Sequence, residues 1–182
     1  MMNEPSPSPS RKGLVEVFTG NGRGKTSAAL GVAIRALGHG FRVCIIQFMK
    51  GNFPYGEQKI LSQLPGVTLK IFGRSSFVDP KNVEDEDRKE GARALEAAKE
   101  AVFSGRYDLV VLDEVNVASA WGLININDVL TIIRDKPKGV ELILTGRYAD
   151  RKLIQLADLV TEMVEIKHPF NEGIGARAGL DY

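Results

Sequence analysis

Lys25 and Thr26 close a run, Thr19-Gly20-Asn21-Gly22-Arg23-Gly24-Lys25-Thr26, whose residue types suit one task, the holding of phosphate. Glycines at alternate positions let a turn enter positive φ and bring backbone N–H groups toward a bound anion. The Lys25 ammonium has the reach for terminal phosphates, and the Thr26 hydroxyl is a Mg²⁺ ligand by type. Asn21 and Arg23 fill the variable positions between the glycines. The run ends as the nucleotide-binding pattern G-x-x-x-x-G-K-[ST] ends, but Thr19 stands where that pattern has its first glycine. The competing reading is a glycine-rich solvent loop. The flanks argue against it, because an apolar stretch (Leu14 to Phe18) precedes the run and a helical pattern follows it.

A second set of residues supports the first. Leu109-Val110-Val111-Leu112 runs into Asp113-Glu114, an apolar strand with carboxylates at one end. Beside a phosphate cradle such an acid holds a metal shell, directly or through water, and Glu114 either joins it or positions a water. A strand merely terminated by acids is the rival. Lys50 follows the strand pattern at 42–48 and has phosphate or solvent open to it. Arg147, after Leu144-Thr145-Gly146, is placed to meet a polyphosphate oxygen or a structural carboxylate. The loop with Phe53 and Tyr55 suits either a flat ligand or packing onto the body. With only two histidines, His39 and His168, no Ser-His-Asp or Cys-His pair is evident. The chain is equipped to hold a nucleoside triphosphate such as ATP and poorly equipped to make a nucleophile.

These residues need a scaffold, and the chain alternates to provide one. Strand patterns fall at 14–19, 42–48, 67–72, 109–112, 140–145 and 159–166, mostly short runs rich in Val, Ile and Leu. Helical patterns fall at 26–37, 57–63, 84–103, 126–134 and 150–157. Gly38 is the predicted C-cap of the first helix, and Asn125 or Asn127 the N-cap of the fourth. Acids crowd the start of the helix at 84–103, where they complement the helix dipole; a metal site is the minor alternative. The alternation predicts a three-layer α/β fold of the P-loop NTPase type, with a mostly parallel sheet of about six strands between helices. Ligands then collect at the carboxyl ends of the strands. Residues 1–12, where Pro and Ser alternate, read as a mobile arm, and 13–182 as one nucleotide-binding domain.

Composition narrows the class further. A chain of 182 residues with 43% hydrophobic residues forms one sizeable core. Its formal net charge of +1 argues against a strongly basic nucleic-acid surface. The single cysteine, Cys44, lies in an apolar run and reads as core. No apolar run reaches membrane-spanning length, and no signal-peptide core is evident, so a cytoplasmic protein is expected.

The chain resembles the P-loop ATP:corrinoid adenosyltransferases. The resemblance is carried by Phe18 to Thr26 with Ala28-Ala29-Leu30-Gly31, by Arg35 to Gly40 and by Gln47-Phe48-Met49-Lys50-Gly51. It continues through Val110 to Asn116, Leu144-Thr145-Gly146-Arg147, Ala157 to Met163 and the tail from Val164 to Tyr182. It implies transfer of the 5′-deoxyadenosyl group of ATP to the Co(I) centre of a reduced corrinoid, with release of triphosphate. It further implies Mg²⁺ (or Mn²⁺) held by Thr26, Asp113 and Glu114, a homodimer, and a reduced flavoprotein as electron donor. One departure is visible. Family members often carry two aromatics after the third strand to displace the lower cobalt ligand, whereas Gly73 to Pro80 offers only Phe77. Two other readings stay open on sequence alone: a P-loop small-molecule kinase, and an ATP-hydrolysing binding module in which Glu114 activates water.

Overall fold

The computed structural model describes residues 12–51 and 55–182. The predicted arm, apart from Lys12, and the loop aromatic Phe53 lie outside the described residues. Six strands make one sheet: β1 (Val15–Thr19), β2 (Val43–Gln47), β3 (Val67–Ile71), β4 (Leu109–Asp113), β5 (Glu141–Thr145) and β6 (Leu159–Glu162). Their order is β3-β2-β4-β5-β1-β6, and every pairing is parallel. The α/β expectation therefore holds, with a sheet that is parallel throughout.

Parallel strands require crossovers, and helices supply them: α1 (Lys25–Gly38), α2 (Gly56–Leu61), α3 (Asp85–Phe103), α4 (Val115–Ala120), α5 (Ile126–Asp135) and α6 (Arg151–Leu156). The central strands are buried on both faces, which is why they read as continuous apolar runs. Along β4 the side chains alternate. Leu109 and Val111 join Ala29, Ala33 and Ala36 of α1, while Val110 and Leu112 join the layer of α3, α5 and α6. The small alanines of α1 seat that helix close to the sheet, which fixes the cradle before it. Cys44 is buried in the second layer, and burial raises its thiol to about 11, as befits a core residue.

Local chemistry explains the element ends. The Glu84 carboxylate caps α3, and Asp87 reaches back to the Glu84 N–H at 3.1 Å. The acids at this helix start are thus a capping box joined by Arg74, which pairs with both Glu84 and Asp87. Asn125 caps α5 by accepting from Asn127 N–H. Gly38 is the last residue of α1 and not its cap; His39 holds that position, and the left-handed turn falls at Gly40, φ 77°. Strand β6 ends at Glu162, short of the predicted 166, because it is an exposed edge with one neighbour. Helix α4 was not predicted. It starts directly after β4 through Glu114, and its six residues are too few to show a period. No helix among the described residues is long and apolar enough to cross a membrane.

Candidate functional site

The cradle lies between β1 and α1. Gly24 precedes the helix at φ 115°, a conformation that needs glycine, and the first N–H groups of α1 have no partner within the helix. Lys25 is only 8% exposed, and its ammonium arches over the loop to donate to the carbonyls of Gly20 (2.9 Å) and Gly22 (2.7 Å). Burial holds this ammonium below the ordinary lysine value; Glu114 opposes that shift and Arg147 adds to it. The glycines also serve packing. A Cβ on Gly20 would stand 2.4 Å from the Met163 carbonyl, so the turn lies hard against the exit of β6. Gly22 N–H donates to that same carbonyl at 2.7 Å. This amide, expected to face phosphate, is directed at β6 instead. Thr19 has a structural reason to depart from glycine: its hydroxyl accepts from Ala149 N–H at 3.3 Å and ties β1 to the loop after β5.

Asp113 is the hub of the site. The strand register sets Gln47 opposite Asp113 and Leu144 opposite Leu112, so the acid meets side chains from both neighbouring strands. Its Oδ1 accepts from Thr26 Oγ1 (2.8 Å) and Thr145 Oγ1 (2.6 Å). Its Oδ2 faces Lys50 Nζ at 2.8 Å and Gln47 Nε2 at 3.4 Å. The carboxylate is 1% exposed. Lys50 sits 3.5 Å from Glu57 and 4.8 Å from the Tyr55 ring centroid. Burial pushes the Lys50 ammonium down, but Asp113, then Glu114 and Glu57, more than reverse this and hold it above the ordinary value. Gln58 of α2 donates to Gln47 at 2.8 Å and extends the network to the second helix.

Glu114 differs from its neighbour. It takes a left-handed backbone at φ 65°, and its N–H donates to Thr145 Oγ1 at 3.0 Å. Its carboxylate makes no hydrogen bond or ion pair among the described residues, and it lines the cleft. Burial, followed by the charge of Asp113, raises its carboxyl above the usual range, although Lys50, Lys25 and Arg147 pull the other way. Met49 (φ 57°) and Tyr148 (φ 62°) are likewise left-handed. All three sit just past the carboxyl ends of β2, β4 and β5 and line the cleft.

The cleft has a volume of about 910 Å³, at the upper end for ligand sites. It gathers Asn21, Gly22, Arg23, Gly24, Lys25 and Thr26 with Lys50, Glu114 and Arg147. Phe77 and Tyr148, both largely exposed, give it an apolar rim. Gly20 and Asp113 lie behind that wall, holding the loop and Thr26. Trp121, which the sequence left apart from these residues, lines the same cleft with Val117. So does the tail, through Phe170, Ile174, Arg177 and Asp181 among others. No local period marks the tail; the only sequence signal was its place in the resemblance. Among the described residues no three or more His, Cys, Asp or Glu form a metal cage. Thr26 and Glu114 offer a hydroxyl and a carboxylate, a fit for a hard cation that would take its other oxygens from phosphate and water, while Asp113, expected to join them, has both oxygens engaged by protein donors.

The fold and this site define a P-loop nucleotide-binding protein. The family model "ATP:corrinoid adenosyltransferase BtuR/CobO/CobP" matches residues 11–182. The corrinoid adenosyltransferase of Escherichia coli K12 is 36% identical over 171 residues, covering 94% of this chain and 86% of its own length. The corrinoid adenosyltransferase CobA of Salmonella typhimurium LT2 matches with the same identity and coverage. The corrinoid adenosyltransferase of Pseudomonas aeruginosa is 36% identical over 172 residues, covering 94% and 84%. The chain belongs to the ATP:corrinoid adenosyltransferase family. It is an enzyme that transfers the adenosyl group of ATP to a cob(I)alamin-like acceptor.

Glu114 carries a measurable consequence. Its carboxyl is raised above 4.5 in the fold, so the stability tied to it is complete below that value and is lost as pH rises through the folded value. Glu114→Gln is therefore expected to resist urea better than the parent at neutral pH, with the gap closing as the medium is acidified below about 4.5. Equal urea midpoints at neutral pH would contradict a carboxyl raised by its half-buried setting.

Proposed function

We propose that the loop Gly20 to Thr26, through the groups it turns to the cleft and above all Lys25, holds the tripolyphosphate of ATP as a leaving group together with Arg147. Thr26 and Glu114 hold Mg²⁺ (or Mn²⁺) against it, with Asp113 fixing the Thr26 hydroxyl. Lys50 pairs with Asp113 at 2.8 Å and holds it in place. The corrinoid lies against the apolar side of the cleft, where Phe77, Trp121 and Val117 stand. The observation that carries this reading is one cleft lined both by polar groups, among them Lys25, Thr26 and Glu114, and by apolar ones, among them Phe77, Val117 and Trp121.

The chemistry balances without a general base. The electron pair of Co(I) forms a bond to the ribose 5′ carbon, the 5′ C–O bond breaks, and its pair leaves on triphosphate. Cobalt becomes Co(III), and no proton moves at carbon. The task left to the protein is to stabilise the growing negative charge and orient the 5′ carbon. Lys25, Arg23, Arg147 and the free N–H groups at the start of α1 are suited to the first part. A bound divalent ion adds charge neutralisation at the leaving oxygens. His168 also lines the cleft, but its Nδ1 accepts from Phe170 N–H at 3.2 Å and so serves the backbone.

The same reading includes a homodimer, a reduced flavoprotein as electron source, a cytoplasmic setting, and residues 13–182 acting as one domain. The family resemblance supports the homodimer and the flavoprotein. The exposed edge strand β6, with Leu159 and Val160 about 40% exposed, supports a second copy of the chain.

Product analysis tests the reaction. Incubated with Mg-ATP, a corrinoid and a strong reductant, the enzyme is expected to release triphosphate, and Lys25→Ala to slow release by about 10²–10³-fold. Release of ADP and phosphate, or a near-parental rate in the variant, would overturn these assignments.

A further inference from the structure

Beyond β6 the chain runs back across the mouth of the cleft and ends in a tight turn. Leu180 N–H and Asp181 N–H donate to the Arg177 carbonyl at 3.2 and 2.8 Å, and Gly179 N–H donates to the Tyr182 carbonyl at 2.8 Å. This turn folds Asp181 onto Arg177. Asp181 Oδ2 accepts from Arg177 N–H (2.9 Å) and from Arg177 Nε (3.0 Å). The other oxygen, Oδ1, lies 3.1 Å from Nη1 of Arg23, in the cradle. Arg23 Nη2 also donates to the Leu180 carbonyl. One carboxylate thus bridges two guanidinium groups, one from the cradle and one from the tail, across more than 150 residues of chain.

Two guanidinium groups, those of Arg23 and Arg177, thus meet at one side-chain carboxylate on the edge of the cleft. Asp181 remains ionised, because the Arg177 N–H and guanidinium, and then Arg23, hold its carboxyl below the usual range. Arg177 spends its Nε on Asp181, and its two terminal nitrogens make no hydrogen bond or ion pair among the described residues. Arg177 nevertheless lines the cleft with Arg23 and Lys25. A planar fork with free donors, fixed by a carboxylate beside a phosphate cradle, is the arrangement that binds phosphate oxygens.

We propose that Arg177 is a further polyphosphate-binding residue, and that Asp181 is a positioning residue that sets it beside Arg23 over the cradle. The last six residues are then part of the site for the leaving group. The inference rests on the adenosyl-transfer reading for its substrate, since a departing triphosphate gains charge as the C–O bond breaks. Guanidinium groups at that edge are most useful at that moment.

Calorimetry with inorganic tripolyphosphate, without corrinoid, tests it. Arg177→Ala is expected to weaken binding about three- to tenfold at low salt, with the loss shrinking as salt rises. Arg177→Gln, which keeps a polar side chain of similar reach, should behave alike. In an Asp181→Asn background the Arg177→Ala loss should fall below about twofold, because an unpositioned guanidinium has little to lose. Parental affinity in both Arg177 variants at low salt would remove Arg177 from the site. An equal loss in both backgrounds would remove the positioning role of Asp181. Failure here leaves the product analysis untouched. Conversely, a parent that binds tripolyphosphate through Arg177 yet releases ADP would sink the adenosyl-transfer reading alone.

Discussion

A carboxylate that is 1% exposed must be matched by donors or neutralised, and Asp113 is matched by four. Those donors come from α1 (Thr26), β2 (Gln47), the loop after β2 (Lys50) and β5 (Thr145). Satisfying one charge therefore dictates how three strands end and where the cradle helix begins. Removing one member of such a buried pair leaves an uncompensated charge, which costs about 3–5 kcal/mol. The constraint also selects chemistry. Asp113 is committed to its protein partners, while the adjacent Glu114, left-handed in backbone, lines the cleft and its carboxylate makes no hydrogen bond or ion pair among the described residues. Two neighbouring acids thus differ: one ties the strand ends together and the other faces the cleft.

Strain and burial cluster at the same edge of the sheet. Met49, Glu114 and Tyr148 hold positive φ where side chains are rare, each just beyond a strand end. Gly20 and Gly22 lie against β6, and Gly51 and Gly73 let the loops after β2 and β3 approach to within van der Waals distance. A packed double layer beneath, from Leu109 and Ile143 on one face to Val110 and Leu142 on the other, holds these conformations in place. The sheet supplies the stability that the strained and unpaired groups consume.

The strands were legible because a parallel sheet buried on both faces writes itself as short apolar runs, and α1, α3 and α5 because their patterns are long enough to show a period. The cradle and the acids were legible as residue types at strand ends. What could not be read were the partners. That Thr145 and Gln47 would converge on Asp113 follows from register, which no local pattern displays. Gly22 looked like a phosphate donor because its type fits; the close passage of Met163, far along the chain, turned its N–H away. Trp121 follows a six-residue helix too short to place it. The tail lacks periodicity, so its return across the cleft, and the meeting of Asp181 with Arg23, appear only in three dimensions.

The chemistry follows from this economy. A strongly nucleophilic metal centre on the acceptor needs no base, so the protein's effort goes to an anion and to the geometry of one carbon. The most direct measurement is Mg-ATP titration of Asp113→Asn. With this network holding Thr26 and Lys50, the variant should keep its far-ultraviolet circular dichroism yet bind Mg-ATP at least about tenfold more weakly. A folded variant that binds Mg-ATP like the parent would show that the nucleotide site does not depend on Asp113.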